Sequence, residues 1–302
     1  MSHPISRRTA LQTITLGAVA AGAGVTRPAT AASAPETPAP LKGRIKQSVC
    51  RWCFSKTSLD DLAVAAKRMG LQSIELLNPP EFDTVKKHGL TCAIVSNPMG
   101  DVGGVKVGGI TRAWNRLEYH DALVAAYEER LRLVKDAGFT NLICFSGNRD
   151  GMSDEQGLEN CVVGLKRILP VAERLGVNLV MELLNSKVNH KDYMCDLSTW
   201  GVELCKRIDS ERFGLLYDIY HMQIMEGDVI ATIRANHKHY FHYHTAGVPG
   251  RAELNENQEL YYPAIVRAII ETGYKGFLGQ EFIPKGPDPL AALEHGVRVC
   301  DV

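Results

Sequence analysis

From residue 45 onward, short apolar runs rich in β-branched and aromatic residues alternate with longer amphipathic segments, the pattern of parallel strands joined by helices. Strands are predicted over Gln47–Phe54, Ser73–Leu77, Thr91–Ser96, Thr140–Phe145, Asn178–Leu184, Phe213–Ile219, His239–His244 and Phe277–Phe282. Helices are predicted over Leu59–Met69, Phe82–His88, Arg116–Ala137, Asp154–Leu175, Ser198–Arg207, Asp228–Ala235, Pro263–Thr272 and Pro289–Val299. Gly70, Gly89, Gly138 and Gly176 stand where helices should stop. Eight such pairs in about 255 residues match a (β/α)8 TIM barrel. An open doubly wound sheet is the structural alternative, but no GxGxxG opens a first strand-to-helix turn. The cluster Gly100–Gly109 lacks the features of a phosphate loop and is expected to be a mobile loop after the third strand, with a lid over the active site as its candidate role.

The first residues read as an address. Ser6-Arg7-Arg8-Thr9-Ala10-Leu11-Gln12 sets two arginines before the apolar stretch from Leu11 to Ala23, which is too short to span a bilayer stably. Cleavage sequences of the small-x-small kind follow at Ala29-Thr30-Ala31 and Ala32-Ser33-Ala34, then a linker with Pro35, Pro38 and Pro40. The expected organisation is a twin-arginine signal over 1–34, a linker over 35–44 and the barrel over 45–302, with export to the periplasm. That route carries folded proteins, often with a cofactor inserted, so a bound metal would suit it.

Charge and cysteine usage narrow the partners. Lys plus Arg and Asp plus Glu both total 34 in 302 residues, so no large basic surface is needed to gather nucleic acid or anionic lipid. Nucleic acid is not an expected partner, nor is a membrane once the signal is removed, and a homo-oligomer is open to the chain. The eight cysteines are dispersed through a chain large enough to bury its own core. Cys50-Arg51-Trp52-Cys53 suggests a redox or zinc motif, but an apparent strand turns positions three apart to opposite faces and no second CxxC follows. Buried thiols are expected.

The candidate chemistry lies at four successive strand ends. Glu182 in Val180-Met181-Glu182, Asp218 in Leu216-Tyr217-Asp218, His244 in His242-Tyr243-His244 and Glu281 in Gly279-Gln280-Glu281 recur once per β/α repeat. If the sheet closes, each strand delivers one side chain to the same rim. Acidic groups in apolar strand ends are expensive to bury unpaired, and one shared divalent cation explains all four. Three carboxylates and an imidazole suit Mn²⁺ or Mg²⁺, with Co²⁺ also accommodated, ahead of zinc. Arg251 sits in a Pro-Gly turn that can present its guanidinium to a carboxylate or vicinal hydroxyls, and Asn185 lies in the loop after Glu182. His242 and His244 share one strand face, with His239 opposite. Glu75, in Glu75-Leu76-Leu77-Asn78, is either a pocket residue or half of a structural ion pair.

Met181-Glu182-Leu183-Leu184-Asn185, Tyr217-Asp218-Ile219-Tyr220-His221-Met222-Gln223, the run His244 to Arg251, and Gly273-Tyr274-Lys275-Gly276-Phe277 with Glu281 resemble the hydroxypyruvate isomerase group of xylose isomerase-like barrels. The resemblance covers most of 45–302. It implies a (β/α)8 fold, a divalent metal, and isomerisation of hydroxypyruvate to tartronate semialdehyde through an enediolate. It also implies that Glu182 and Glu281 are the acid/base pair while ligating the metal beside Asp218 and His244, and that His221 hydrogen-bonds the substrate oxygens; Arg251 and Asn185, from their loop positions, are the other substrate-binding candidates. The apparent export signal and the loops 185–192 and 253–259 depart from a plain cytosolic member. They favour, as runner-up, a ketose 3-epimerase, another sugar isomerase or a keto-sugar lyase with the same cation and Glu pair. A non-catalytic sugar-binding barrel comes third. A DNA repair nuclease of the same broad barrel class fits the charge balance and the single four-ligand set poorly.

Overall fold

The computed structural model describes residues 40–302, and the expected signal over 1–34, like the linker up to residue 39, lies outside them. The remainder of the linker is packed. Leu41 rests on the core beside Gly70, and the Lys42 amide donates to both carboxylate oxygens of Asp301 at 2.9 Å.

Among the described residues nine strands form: β1 (Lys46–Cys50), β2 (Ser73–Glu75), β3 (Gly100–Val102), β4 (Val105–Val107), β5 (Asn141–Cys144), β6 (Asn178–Leu183), β7 (Phe213–Asp218), β8 (Tyr240–Thr245) and β9 (Phe277–Gln280). Seven of them make one sheet in the order β2-β1-β9-β8-β7-β6-β5, and every pairing in it is parallel. Residues 91–95 close it, bridging in parallel from Ser73 and Leu77 on one side to Leu142 on the other. The predicted third strand, Thr91–Ser96, therefore takes its place in the barrel as isolated bridges. The Ala93 amide is diverted to the Ser73 hydroxyl, and Leu76, in the left-handed region at φ 57°, ends β2 two residues before the predicted Leu77.

Some of the helices start at a side-chain cap. In α1 (Leu59–Met69) the Ser58 side chain accepts from the Asp61 amide, and Gly70, at φ 87°, ends the helix. Further along lie α2 (Phe82–Lys87), α3 (His120–Asp136), α4 (Asp154–Leu175), α5 (Ser198–Ile208), α6 (Ile219–Met225), α7 (Val229–Asn236), α8 (Tyr262–Glu271) and α9 (Pro289–Val299). Among the described residues no helix is long and apolar enough to cross a membrane.

Three expectations change. The predicted first strand stops at Cys50, and Arg51–Phe54 turns as a short 3-10 helix, so Cys53 leaves the strand; all eight cysteines are free thiols, seven buried and Cys53 half-buried. The Gly100–Gly109 cluster, expected to be a mobile loop, folds as the antiparallel hairpin β3–β4. Its base is tied by the Asn97 side chain donating to the Gly108 carbonyl, and Gly100 approaches the α3 backbone so closely that a Cβ would lie 3.0 Å from the Ala122 carbonyl oxygen. Finally, Ile219, the last residue of the predicted strand Phe213–Ile219, opens α6 directly after β7.

Candidate metal centre

Strand register brings the four predicted side chains together. Asp218 pairs with His244, and His244 with Gly279, while the Glu281 amide donates to the Thr245 carbonyl. A bulge accommodates Phe241, shifting β8 so that His242 and His244 stand level with Leu216 and Asp218. Gly214 leaves the space, since a Cβ there would lie 2.4 Å from the Phe241 ring. One ligand atom from each of Glu182, Asp218, His244 and Glu281 lies within 4.8 Å of all the others, and all four residues are buried.

The donor set fits a divalent cation. His244 Nδ1 is 2.7 Å from Glu281 Oε2 and 3.6 Å from Glu182 Oε1, yet neither Nδ1 nor Glu182 Oε1 has a hydrogen-bond partner. Lone-pair donors converge there without donors to meet them, which a cation resolves. Burial, followed by the Glu281 charge, pushes the Glu182 carboxyl above the usual range. Burial likewise outweighs the Arg251 guanidinium at Asp218, raising that carboxyl too. At Glu281 the balance reverses: burial opposes ionisation, but Arg251 and His244 hold the carboxyl well below its ordinary value.

The site's other predicted residues surround this cluster. Asp218 caps α6, its Oδ1 accepting from the His221 amide at 3.1 Å. The Asn185 backbone N–H donates to His221 Nδ1 at 3.1 Å. A backbone amide only donates, so the neutral imidazole carries its proton on Nε2. That Nε2 is buried, has no hydrogen-bond partner, and lies 3.6 Å from Asp218 Oδ2; burial and the Arg251 charge keep His221 well below the usual imidazole range. Arg251, with its backbone at φ 55°, reaches Glu281 Oε2 at 2.6 Å and Asp218 Oδ2 at 3.3 Å through Nη2. It therefore binds two of the four clustered carboxylates and imidazole directly, rather than lying on the surface.

Two further residues join the site. Trp52, passed over in the CxxC reading, donates its indole N–H to Glu281 Oε1 at 2.8 Å, and the Arg251 guanidinium lies over its ring at 5.1 Å. The sequence reading missed it because the predicted strand ran on to Phe54; with β1 ending at Cys50, Trp52 falls just after the first strand, on the functional face of a barrel. Glu75 is fully buried and hydrogen-bonded to His242 and His244.

A family model described as "Xylose isomerase-like TIM barrel" matches residues 63–301. Among curated proteins, the chain is 26% identical over 250 residues to hydroxypyruvate isomerase of Escherichia coli strain K12, covering 78% of this chain and 90% of that protein. It is 24% identical over 240 residues to 2-oxo-tetronate isomerase of Haemophilus influenzae, covering 77% and 91%. Among solved structures, one titled AP endonuclease, family 2, from Brucella melitensis superposes with a TM-score of 0.71 at 24% identity, over 82% of this chain and 97% of that one. This last likeness is one of fold.

Proposed function

Because the chain belongs to the xylose isomerase-like TIM barrel family, we propose that it is a divalent-metal-dependent isomerase interconverting hydroxypyruvate and 2-hydroxy-3-oxopropanoate (tartronate semialdehyde). Two relatives named as isomerases of small hydroxy-keto acids support the class. The observation that carries the reading is the buried convergence of Glu182, Asp218, His244 and Glu281. These four residues would hold Mn²⁺, Mg²⁺ or Co²⁺, and a bound cation supplies Lewis acidity that makes the C–H between two oxygen-bearing carbons easier to ionise.

The chain's own residues move the protons. One of the two carboxylates, Glu182 or Glu281, removes a proton from C3 of hydroxypyruvate and the other returns one to C2, while the hydroxyl proton passes from O3 to O2. His221, with its proton on Nε2, is suited to donate to a substrate oxygen. Arg251 and Trp52 fix Glu281 from two sides, which restrains the carboxylate to one orientation.

The test is turnover of purified protein after chelation and readdition of Mn²⁺, Mg²⁺ or Co²⁺, on hydroxypyruvate beside ketoses and keto-glycosides. Cation-dependent formation of tartronate semialdehyde is expected; undiminished turnover in the chelated protein would sink the metal-dependent reading. A cavity of about 530 Å³ lined by Trp52, Cys53, Phe54, Ile283 and Pro284 meets the site at Trp52 alone and is lined by none of the four clustered residues. Turnover of a sugar alone would select the second reading, a ketose epimerase or keto-sugar lyase. Sugar binding without turnover, unchanged by Glu182→Gln, would select the non-catalytic barrel. Export through the twin-arginine route, carried by Arg7 and Arg8, belongs to the same proposal. Cell fractionation is expected to find wild type in the periplasm and an Arg7→Lys/Arg8→Lys variant in the cytoplasm; equal export of both would exclude that route.

A further inference from the structure

Inside the barrel, a second group of polar side chains backs the four-residue cluster. Glu75 ends β2 with Oε1 placed 2.7 Å from His244 Nε2, 2.9 Å from His242 Nε2 and 3.4 Å from Cys50 Sγ. All four residues are fully buried. The backbone makes room for them: a Cβ on Gly279 would lie 2.2 Å from Glu75 Oε1 and 2.8 Å from His244 Cδ2. A carboxylate so enclosed is expensive to bury unless its charge is matched by donors.

Cys50, Glu75 and His244 also have the composition of a small metal site, and their donor atoms lie within 4.8 Å of one another. Hydrogen-bond geometry, not length, decides against it. The Glu75 contacts to the two imidazoles at Nε2 satisfy that geometry, whereas the equally short contact of His244 Nδ1 with Glu281 Oε2 does not and leaves Nδ1 without a hydrogen-bond partner. An ionised carboxylate only accepts, so each of these contacts requires a proton on the histidine nitrogen. His244 then bears its proton on Nε2, and Nδ1 is the nitrogen left to face Glu182, Asp218 and Glu281.

We propose that Glu75 is a positioning residue that fixes the tautomer and ring orientation of His244 through the Glu75–His244 hydrogen bond, so that Nδ1 is presented to the cation. The consequence for cation binding rests on the reading of the four-residue cluster as a metal site; the tautomer itself does not. Histidines 242 and 244 share the same oxygen, so Glu75 also ties the imidazole two positions earlier on β8 to the one that faces the site. Without the carboxylate, His244 Nε2–H would keep only the weakly accepting Cys50 sulfur at 3.7 Å, and the other tautomer or a turned ring would relieve it.

The experiment uses the full chain labelled with ¹⁵N at histidine, together with Mn²⁺ titration followed by electron paramagnetic resonance. In wild type, His244 is expected to show a slowly exchanging proton on Nε2. Glu75→Ala is expected to lose that proton and to bind Mn²⁺ about 10–100-fold more weakly. Glu75→Gln, which retains an acceptor oxygen, is expected to keep more of the affinity. A wild-type His244 with no proton on Nε2 would overturn the proposal, as would a folded Glu75→Ala that binds Mn²⁺ like wild type. Should Glu75→Ala fail to fold, the wild-type spectrum decides, an unprotonated His244 Nε2 counting against the proposal. A wild type that holds the Nε2 proton, loses it in the alanine variant and takes up no Mn²⁺ would support the positioning role and overturn the cation reading instead.

Discussion

Replacing Glu281 with Gln is expected to lower kcat on the true substrate by on the order of 10³-fold, within the range that general acid/base groups contribute. The substitution keeps the side chain's shape and removes its basicity. It also disturbs the local contacts, because both Glu281 oxygens accept: Oε1 from the Trp52 indole, and Oε2 from the Arg251 guanidinium. A Gln amide group must point its own N–H2 at one of those two donors. Glu182→Gln separates the two effects. Glu182 Oε1 has no hydrogen-bond partner, so the amide meets no such conflict, and a comparable fall in kcat would then report the lost carboxylate. Steady-state kinetics of both variants, with thermal melts to confirm folding, is the check. A kcat within tenfold of wild type for either variant would remove that residue from the acid/base pair.

Saturation with Mn²⁺ is expected to raise the melting temperature of the chelated protein by roughly 8 °C or more. Ligand at about a thousand times its Kd stabilises the folded state by about 4 kcal/mol, and each kcal/mol is worth roughly 2–4 °C in a domain near this size. The site makes the direction clear, because a cation relieves the clustered carboxylates that folding otherwise buries together. Glu182 and Asp218 have folded-state values raised above the ordinary carboxylate range. Without cation they bind protons more tightly folded than unfolded, so their contribution to stability is present at low pH and is lost as pH rises through those raised values. Cation must displace the same protons, so apparent affinity rises with pH and the gain in melting temperature shrinks on acidification. Calorimetric melts with and without Mn²⁺ at several pH values test this. A shift of equal size in Glu182→Gln would place the stabilising ion elsewhere.

Much of this arrangement was legible in the sequence because it depends on period. The helices Leu59–Met69, Asp154–Leu175 and Pro289–Val299 form with the predicted bounds, each marked by a cap or a proline at its start. The recurrence of an acidic or histidine residue at four strand ends locates the cluster, since register in a closed sheet turns sequence spacing into shared height. Features governed by single backbone conformations were harder to read. The hairpin β3–β4 carried a usable signal, Gly103-Gly104 between valines, but lay inside a glycine-rich stretch that also reads as a loop. Helix α6 has seven residues and borrows its cap from Asp218, so no separate start signal precedes it. The proton position on His221 depends on an amide from Asn185, 36 residues away in sequence, and the role of Trp52 on a partner 229 residues away. No local pattern encodes either.

The uneven closure of the barrel separates its rigid and compliant arcs. Between β2 and β5 the wall is held by isolated bridges at residues 91–95, whereas β6, β7, β8 and β9 are consecutive neighbours in continuous ladders. All four clustered side chains belong to that second arc or follow directly on it. The ladder is thinner in the first arc, so the amides of residues 91–95 are expected to exchange with solvent faster than those of β6–β9, with the spacing of the carboxylates and imidazole unaffected.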